Sequence, residues 1–179
     1  MLNGAGDIGP SDFNIADVVP EADSVGLDER VTLDMALRMD WRYFECLANV
    51  LWSKRGYRCY QTPSSSDNGV DVVALRDNSG ALVLAKTSGT DGASLSWDAV
   101  KEVVTGAAFY QRRHPGVDFA KVCITNQFFN VQAHENAALN SVQLLEQTHL
   151  TEMLEKHTVT MAEIERVLYG EWQDQDDEA

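Results

Sequence analysis

The chain predicts an α/β domain in which a mixed central sheet is flanked by helices. Three observations carry that reading. Apolar residues recur at helical spacing over 41–52, and short β-branched runs follow, two of them joined as a hairpin. Beyond the hairpin, strand-like and helix-like stretches alternate, so antiparallel pairing through the hairpin gives way to parallel pairing across helical crossovers.

The elements follow in order. Residues 1–30 carry Gly, Pro and Asp without periodicity and are expected to form a loose arm, so that 1–38 reads as an acidic, flexible N-terminal segment. Asp40 is a good N-cap for an amphipathic helix running to about Arg55, with Gly56 at its stop. Trp41, Phe44, Leu47, Ala48, Leu51 and Trp52 share one face of that helix, and Glu45 lies at the edge of the stripe. "YRCYQT" (57–62) is a short strand, and "PSSSDNG" (63–69) a loop of turn formers. "VDVVAL" (70–75), "RDNSG" and "ALVLAKT" (81–87) form the hairpin. "SGTDGAS" reads as a flexible loop, and Ser96 as the cap of a helix from Trp97 to about Arg113, broken by "HPG". "AKVCIT" (120–125) is a buried strand, followed by a helix over 130–140 and a last strand, "VQLLE" (142–146). Two short helices close the fold near 149–156 and 161–169, the second with Thr160 and Glu163 as a capping box. The domain is placed at 39–157, and 158–179 holds the final helix and an acidic tail expected to be disordered.

The 179 residues suffice for one domain with a real core, and a hydrophobic fraction of 44% is that of a globular protein. No apolar run approaches the ~20 residues that span a membrane. The first residues lack the basic-then-apolar pattern of a signal peptide, so a cytoplasmic location and no membrane partner are expected. Cys46, Cys59 and Cys123 have no paired spacing and read as buried free thiols; the four histidines form no metal-ligand pattern.

The net charge of −14 argues at first against nucleic-acid binding. Its distribution changes that. Residues 1–39 hold eight acids and two bases, residues 151–179 nine acids and two bases, and residues 40–150 eleven acids and ten bases. The acidity belongs to the ends, and the central domain is nearly neutral.

One constellation could do chemistry. Asp71 opens the first hairpin strand and Lys86 closes the second, while alternation turns Leu82, Leu84 and Lys86 to one face. Metal-dependent phosphodiester cleavage needs oxygen ligands and a group that helps activate water. Asp71 and the backbone carbonyl of Ala85 could supply oxygens, and Lys86 could orient water or steady phosphate charge. Leu84 offers only methyls where a further ligand belongs. By themselves, an acid and a lysine at hairpin ends are an ordinary solvated pair.

The surrounding pattern singles them out. "WRYFECLANVLWSKRGYRCYQTPSSSDNGVDVVAL", "AKT", "VKEVVTGAAFY", "AKVCITNQFF" and "AHENAALNSVQLLEQTHLTEML" together resemble the Mrr-type restriction endonuclease domain, a branch of the PD-(D/E)xK nuclease superfamily. The resemblance covers about 39–156. It rests on Phe44-Glu45, Gly56-Tyr57, the run from Asp67 to Asp71, Lys86, Gly106 and the Thr125 to Phe129 turn, all in register. It implies a three-layer restriction-endonuclease-like fold and a magnesium-dependent DNA endonuclease site. Asp71 would be a metal ligand, Lys86 the catalytic lysine, Glu45 the helix-borne acid of the site, and Asp67 an acidic loop position or a turn former. The family carries Gln or Glu where this chain has Leu84, and a basic and an aromatic residue where it has Thr87 and Ser88. Glu45 either leans across to replace the lost oxygen or is a helix-edge residue facing an arginine or solvent. Two expectations follow: a degenerate nuclease fold serving as an interaction module, with DNA or a protein partner held through its acidic ends or its surface, or an active endonuclease using Asp71, Lys86 and Glu45 with magnesium.

Overall fold

The structure, a computed structural model, describes residues 29–63 and 68–170. Its centre is a five-stranded sheet of β1 (Arg58–Gln61), β2 (Val72–Arg76), β3 (Ser79–Lys86), β5 (Asp118–Thr125) and β7 (Val142–Leu145), in that spatial order. β1, β2 and β3 pair antiparallel, and β3, β5 and β7 pair parallel, as the alternation of elements predicts. Two-residue strands β4 (Ser94–Leu95) and β6 (Phe128–Phe129) form a small parallel sheet of their own, which the sequence reading did not anticipate.

Helices cover both faces. On one lie α1 (Leu33–Arg38), α2 (Trp41–Lys54), α5 (Gln147–Lys156) and α6 (Met161–Leu168). Phe44, Leu47, Leu51, Ala36, Leu150, Leu154 and Ile164 from these helices pack with Val72, Ala74, Ala81, Val83, Ala85, Val122 and Ile124 of the sheet. On the other lie α3 (Asp98–Arg113) and α4 (Val131–Leu139), whose Val100, Val103, Ala133 and Ala137 pack with Val73, Leu82, Leu84 and Cys123. Strand residues thus divide between two cores by strict alternation, and the fold is the expected three-layer α/β domain.

Local chemistry explains most ends. Asp40 Oδ1 accepts the Tyr43 N–H at 3.0 Å, and Asn130 Oδ1 accepts that of Ala133 at 2.8 Å. The capping box of Thr160 and Glu163 is present, and a second one joins Glu146 with His149. The hairpin turns at Asp77-Asn78, with Arg76 paired to Ser79 and Asp77 at φ 51°. The helix expected to start at Trp97 starts at Asp98; Ser96 Oγ still accepts the Asp98 N–H.

Two stretches outside the central domain reading are packed. Within the N-terminal segment, Val31 is buried and its N–H donates to Val159, while the Arg30 guanidinium donates to the Leu154 carbonyl at 2.8 Å. At the other end, α6 docks on α2 through buried Ile164 and an ion pair between Lys54 and Glu163. Of the 1–38 segment expected to be flexible, residues 29–38 are packed and carry α1, while residues 1–28, like the tail beyond 170, lie outside the described residues. Cys46 and Cys123 are buried and Cys59 half-buried, and all three are free. Burial pushes their thiols up to about 12, 12 and 11 respectively. Among the described residues no helix is long and apolar enough to cross a membrane.

Candidate active site

The hairpin brings Asp71 and Lys86 to one end of the sheet. The Asp71 N–H donates to the Val83 carbonyl at 2.8 Å, and Val83 also pairs with Val72, so two consecutive residues meet Val83 and the ladder is offset by one where Asp71 enters. Asp71 is 5% exposed, and its Oδ2 accepts the Ala85 N–H at 2.7 Å. Leu84, on the α3 face with Leu82, is packed into that core at 2% exposure. Lys86 follows the same alternation and meets α3, where its Nζ lies 2.7 Å from Glu102 Oε2.

Two glycines make this approach of α3 achievable. Gly69 has φ 76°, and a Cβ on it would come within 2.6 Å of the Glu102 carbonyl oxygen. On the helix itself, a Cβ at Gly106 would collide with the Asn68 carbonyl. The loop leading into Asp71 therefore lies directly on the turn of α3 that carries Glu102. Buried Cys123, paired with Leu84 across β3 and β5, senses all three charges. Its thiol is raised first by burial and further by Glu102 and Asp71, against the opposing effect of Lys86.

Of the residues singled out in the sequence, Asp71, Leu84, Ala85 and Lys86 come together as expected. Glu45 is half-buried on α2, the helix packed on the opposite face of the sheet from α3, and it helps raise the Cys46 thiol. Asp67 lies outside the described residues. Sequence reasoning missed Glu102. One signal was there: Glu102 is four residues before Gly106 and so shares its helix face.

The "SGTDGAS" segment is a correction to the expected flexible loop. The Ser88 N–H donates to Asn126 Oδ1 at 3.1 Å, the Gly92 N–H donates to Gln127 Oε1 at 2.9 Å, and Ser94 enters β4. Asn126 also donates to the Ala36 and Leu37 carbonyls at 3.3 Å each. Thr125, Asn126 and Gln127 are at most 2% exposed, so the turn that closes β5 is a buried polar hub tying this segment to α1.

The resemblance implies a magnesium ion, and the donor chemistry can be tested against it. A strand residue points its N–H and C=O to the same neighbour, so the Ala85 carbonyl faces the β2 side, as does Asp71. That gives one carboxylate and one carbonyl. Leu84 presents methyls, Glu102 is engaged by Lys86, and among the described residues no cluster of three His, Cys, Asp or Glu side chains could hold a metal. Among the described residues, magnesium would thus find one carboxylate and one carbonyl, the rest of its octahedral shell falling to waters or a substrate phosphate, with no second acid where Leu84 stands.

Comparisons with known proteins give the chain its relatives. The profile of the Mrr_cat family, described as restriction endonuclease, matches residues 36–154. A search of curated proteins found no match. Among solved structures, a crystal structure of a protein of unknown function, AF1548, is similar at 17% identity and a TM-score of 0.48, covering 65% of this chain and 66% of that one. The MspJI restriction endonuclease in complex with a 27-mer oligonucleotide is similar at 22% identity and a TM-score of 0.46, covering 75% of this chain. The chain spans only 32% of the MspJI chain's length.

Proposed function

Because this chain belongs to the Mrr-type restriction endonuclease family, we propose that it is a nuclease-fold domain that engages DNA, cuts it weakly or not at all, and acts as an interaction module within a larger complex. One observation carries this reading. Leu84 is packed into the α3 core where the family has an oxygen ligand, while Oδ2 of the neighbouring Asp71 accepts the Ala85 amide hydrogen. Asp71 and Lys86 then act as braces: the acid ties β2 to β3, and the lysine ties β3 to α3. No step is routed through a metal. The acidic ends of the chain would meet a basic protein partner, as their charge suggests.

The test is cleavage of plasmid and linear DNA with Mg²⁺ or Mn²⁺. Wild-type protein is expected to nick no faster than Lys86→Ala or Asp71→Ala. Wild-type cutting that disappears in both variants overturns the proposal. Glu102 favours a second reading, in which this domain is an active endonuclease whose missing oxygen comes from α3, with Glu45 as the other acid. In that case Glu102→Gln abolishes cutting and Glu45→Gln reduces it.

A further inference from the structure

A groove of about 640 Å³ lies beside the edge strand β1, on the face of the sheet that α3 partly covers. Its origin is topological. α3 is the crossover between β3 and β5 and packs on those strands, leaving the same face of β1 uncovered. Val73 and Leu75 form the floor, Arg58 and Tyr60 of β1 one wall, and Phe109 and Arg113 of α3 the other. Each wall carries an aromatic ring with a guanidinium over it: Arg58 lies 5.4 Å from the Tyr60 ring centroid, and Arg113 lies 4.5 Å from that of Phe109. The rings remain accessible, Tyr60 at 39% and Phe109 at 37%.

The charge of the described lining is the reverse of the chain's. Twenty-eight acids face fourteen Lys and Arg in the whole sequence, yet the described lining holds two arginines and His114 and no carboxylate. One end of the groove reaches Asn68, in the loop that delivers Asp71. Paired aromatic walls with cations above them match a flat, π-faced group attached to an anion. An unpaired nucleotide has that chemistry: its base stacks on Tyr60 and Phe109, and its flanking phosphates meet Arg58 and Arg113.

We propose that this groove binds an unpaired segment of DNA. It rests on the reading above only for the choice of DNA as the polymer, and does not require the Asp71–Lys86 cluster to cut. With a net charge of −14 the chain has no long-range attraction for nucleic acid, so binding depends on contact within the groove.

The experiment is fluorescence anisotropy of a labelled short oligo(dT) against the full chain at low salt, beside a duplex of equal length and an acidic peptide. Single-stranded DNA is expected to bind more tightly than the duplex. Tyr60→Ala or Phe109→Ala should each weaken it by about five- to a hundredfold, the effect of losing one stacked base. Arg58→Gln and Arg113→Gln should each lower the salt slope by about 0.7. All four side chains lie at the groove surface, so unchanged thermal melting verifies that the variants fold. The anisotropy is read without divalent metal and involves no cutting, which keeps failure here distinct from failure of the cleavage reading. Equal binding by wild type and the aromatic variants, preference for duplex, or binding of the acidic peptide in place of oligo(dT) overturns the proposal.

Discussion

Two polar clusters stand side by side at one end of the sheet, where Lys86 pairs with Thr125, and they are built differently. The Thr125–Asn126–Gln127 turn is sealed from water, and its side chains bond backbone groups: the Ser88 and Gly92 amides and the Ala36 and Leu37 carbonyls. The Asp71–Lys86 cluster is split. Its acid is buried against a backbone amide, while its lysine and Glu102 form an ion pair at 38% and 41% side-chain exposure. A buried side chain bonded to the backbone holds a chain in place, whereas an accessible pair of charges can be rearranged by a ligand. The contrast marks the turn as sealed scaffold and the lysine end of the cluster as a solvent-accessible contact.

Substitutions sharpen that contrast, and the largest effect belongs to Leu84→Glu. It would restore the family's oxygen, but it replaces a side chain at 2% exposure among Val100, Val103 and Cys123. Lost apolar burial plus a carboxylate placed in a core should cost on the order of 4 kcal/mol. Chemical denaturation should show that loss, with no gain of cutting. Stability near wild type would mean the site can open to admit an acid.

Asn126→Ala should follow, at about 2–3 kcal/mol, because it leaves buried backbone groups unsatisfied. Hydrogen exchange should then quicken at Ser88 and nearby amides. A smaller loss, about 1–2 kcal/mol, is expected for Asp71→Ala, which orphans the Ala85 N–H. Lys86→Ala should be the mildest. The exposed pair with Glu102 is screened by water and salt and contributes roughly 0.2–1 kcal/mol, so a loss as large as that of Asn126→Ala would erase the distinction between the clusters.

The legible part of the fold is the local part. Asp40 and the Thr160–Glu163 box announce their helices within four residues, and the hairpin declares itself through alternation around a short turn. Leu82, Leu84 and Lys86 share a face by the period of two alone. What stayed hidden depends on distant partners. The segment before α1 is held by Arg30, which reaches Leu154, and the segment after Lys86 is held by Asn126 and Gln127 from beyond the next strand. Glu102 joins the site only because Gly69 and Gly106 let a loop and a helix touch, a contact that neither residue's own neighbourhood reveals.

The proposed reading is that Asp71 and Lys86 brace this fold without composing a metal centre. Calorimetric titration of the full chain with Mn²⁺, beside Asp71→Asn, tests it most directly. The account predicts no saturable site that distinguishes the two proteins. One-site binding by wild type that vanishes in Asp71→Asn would contradict it.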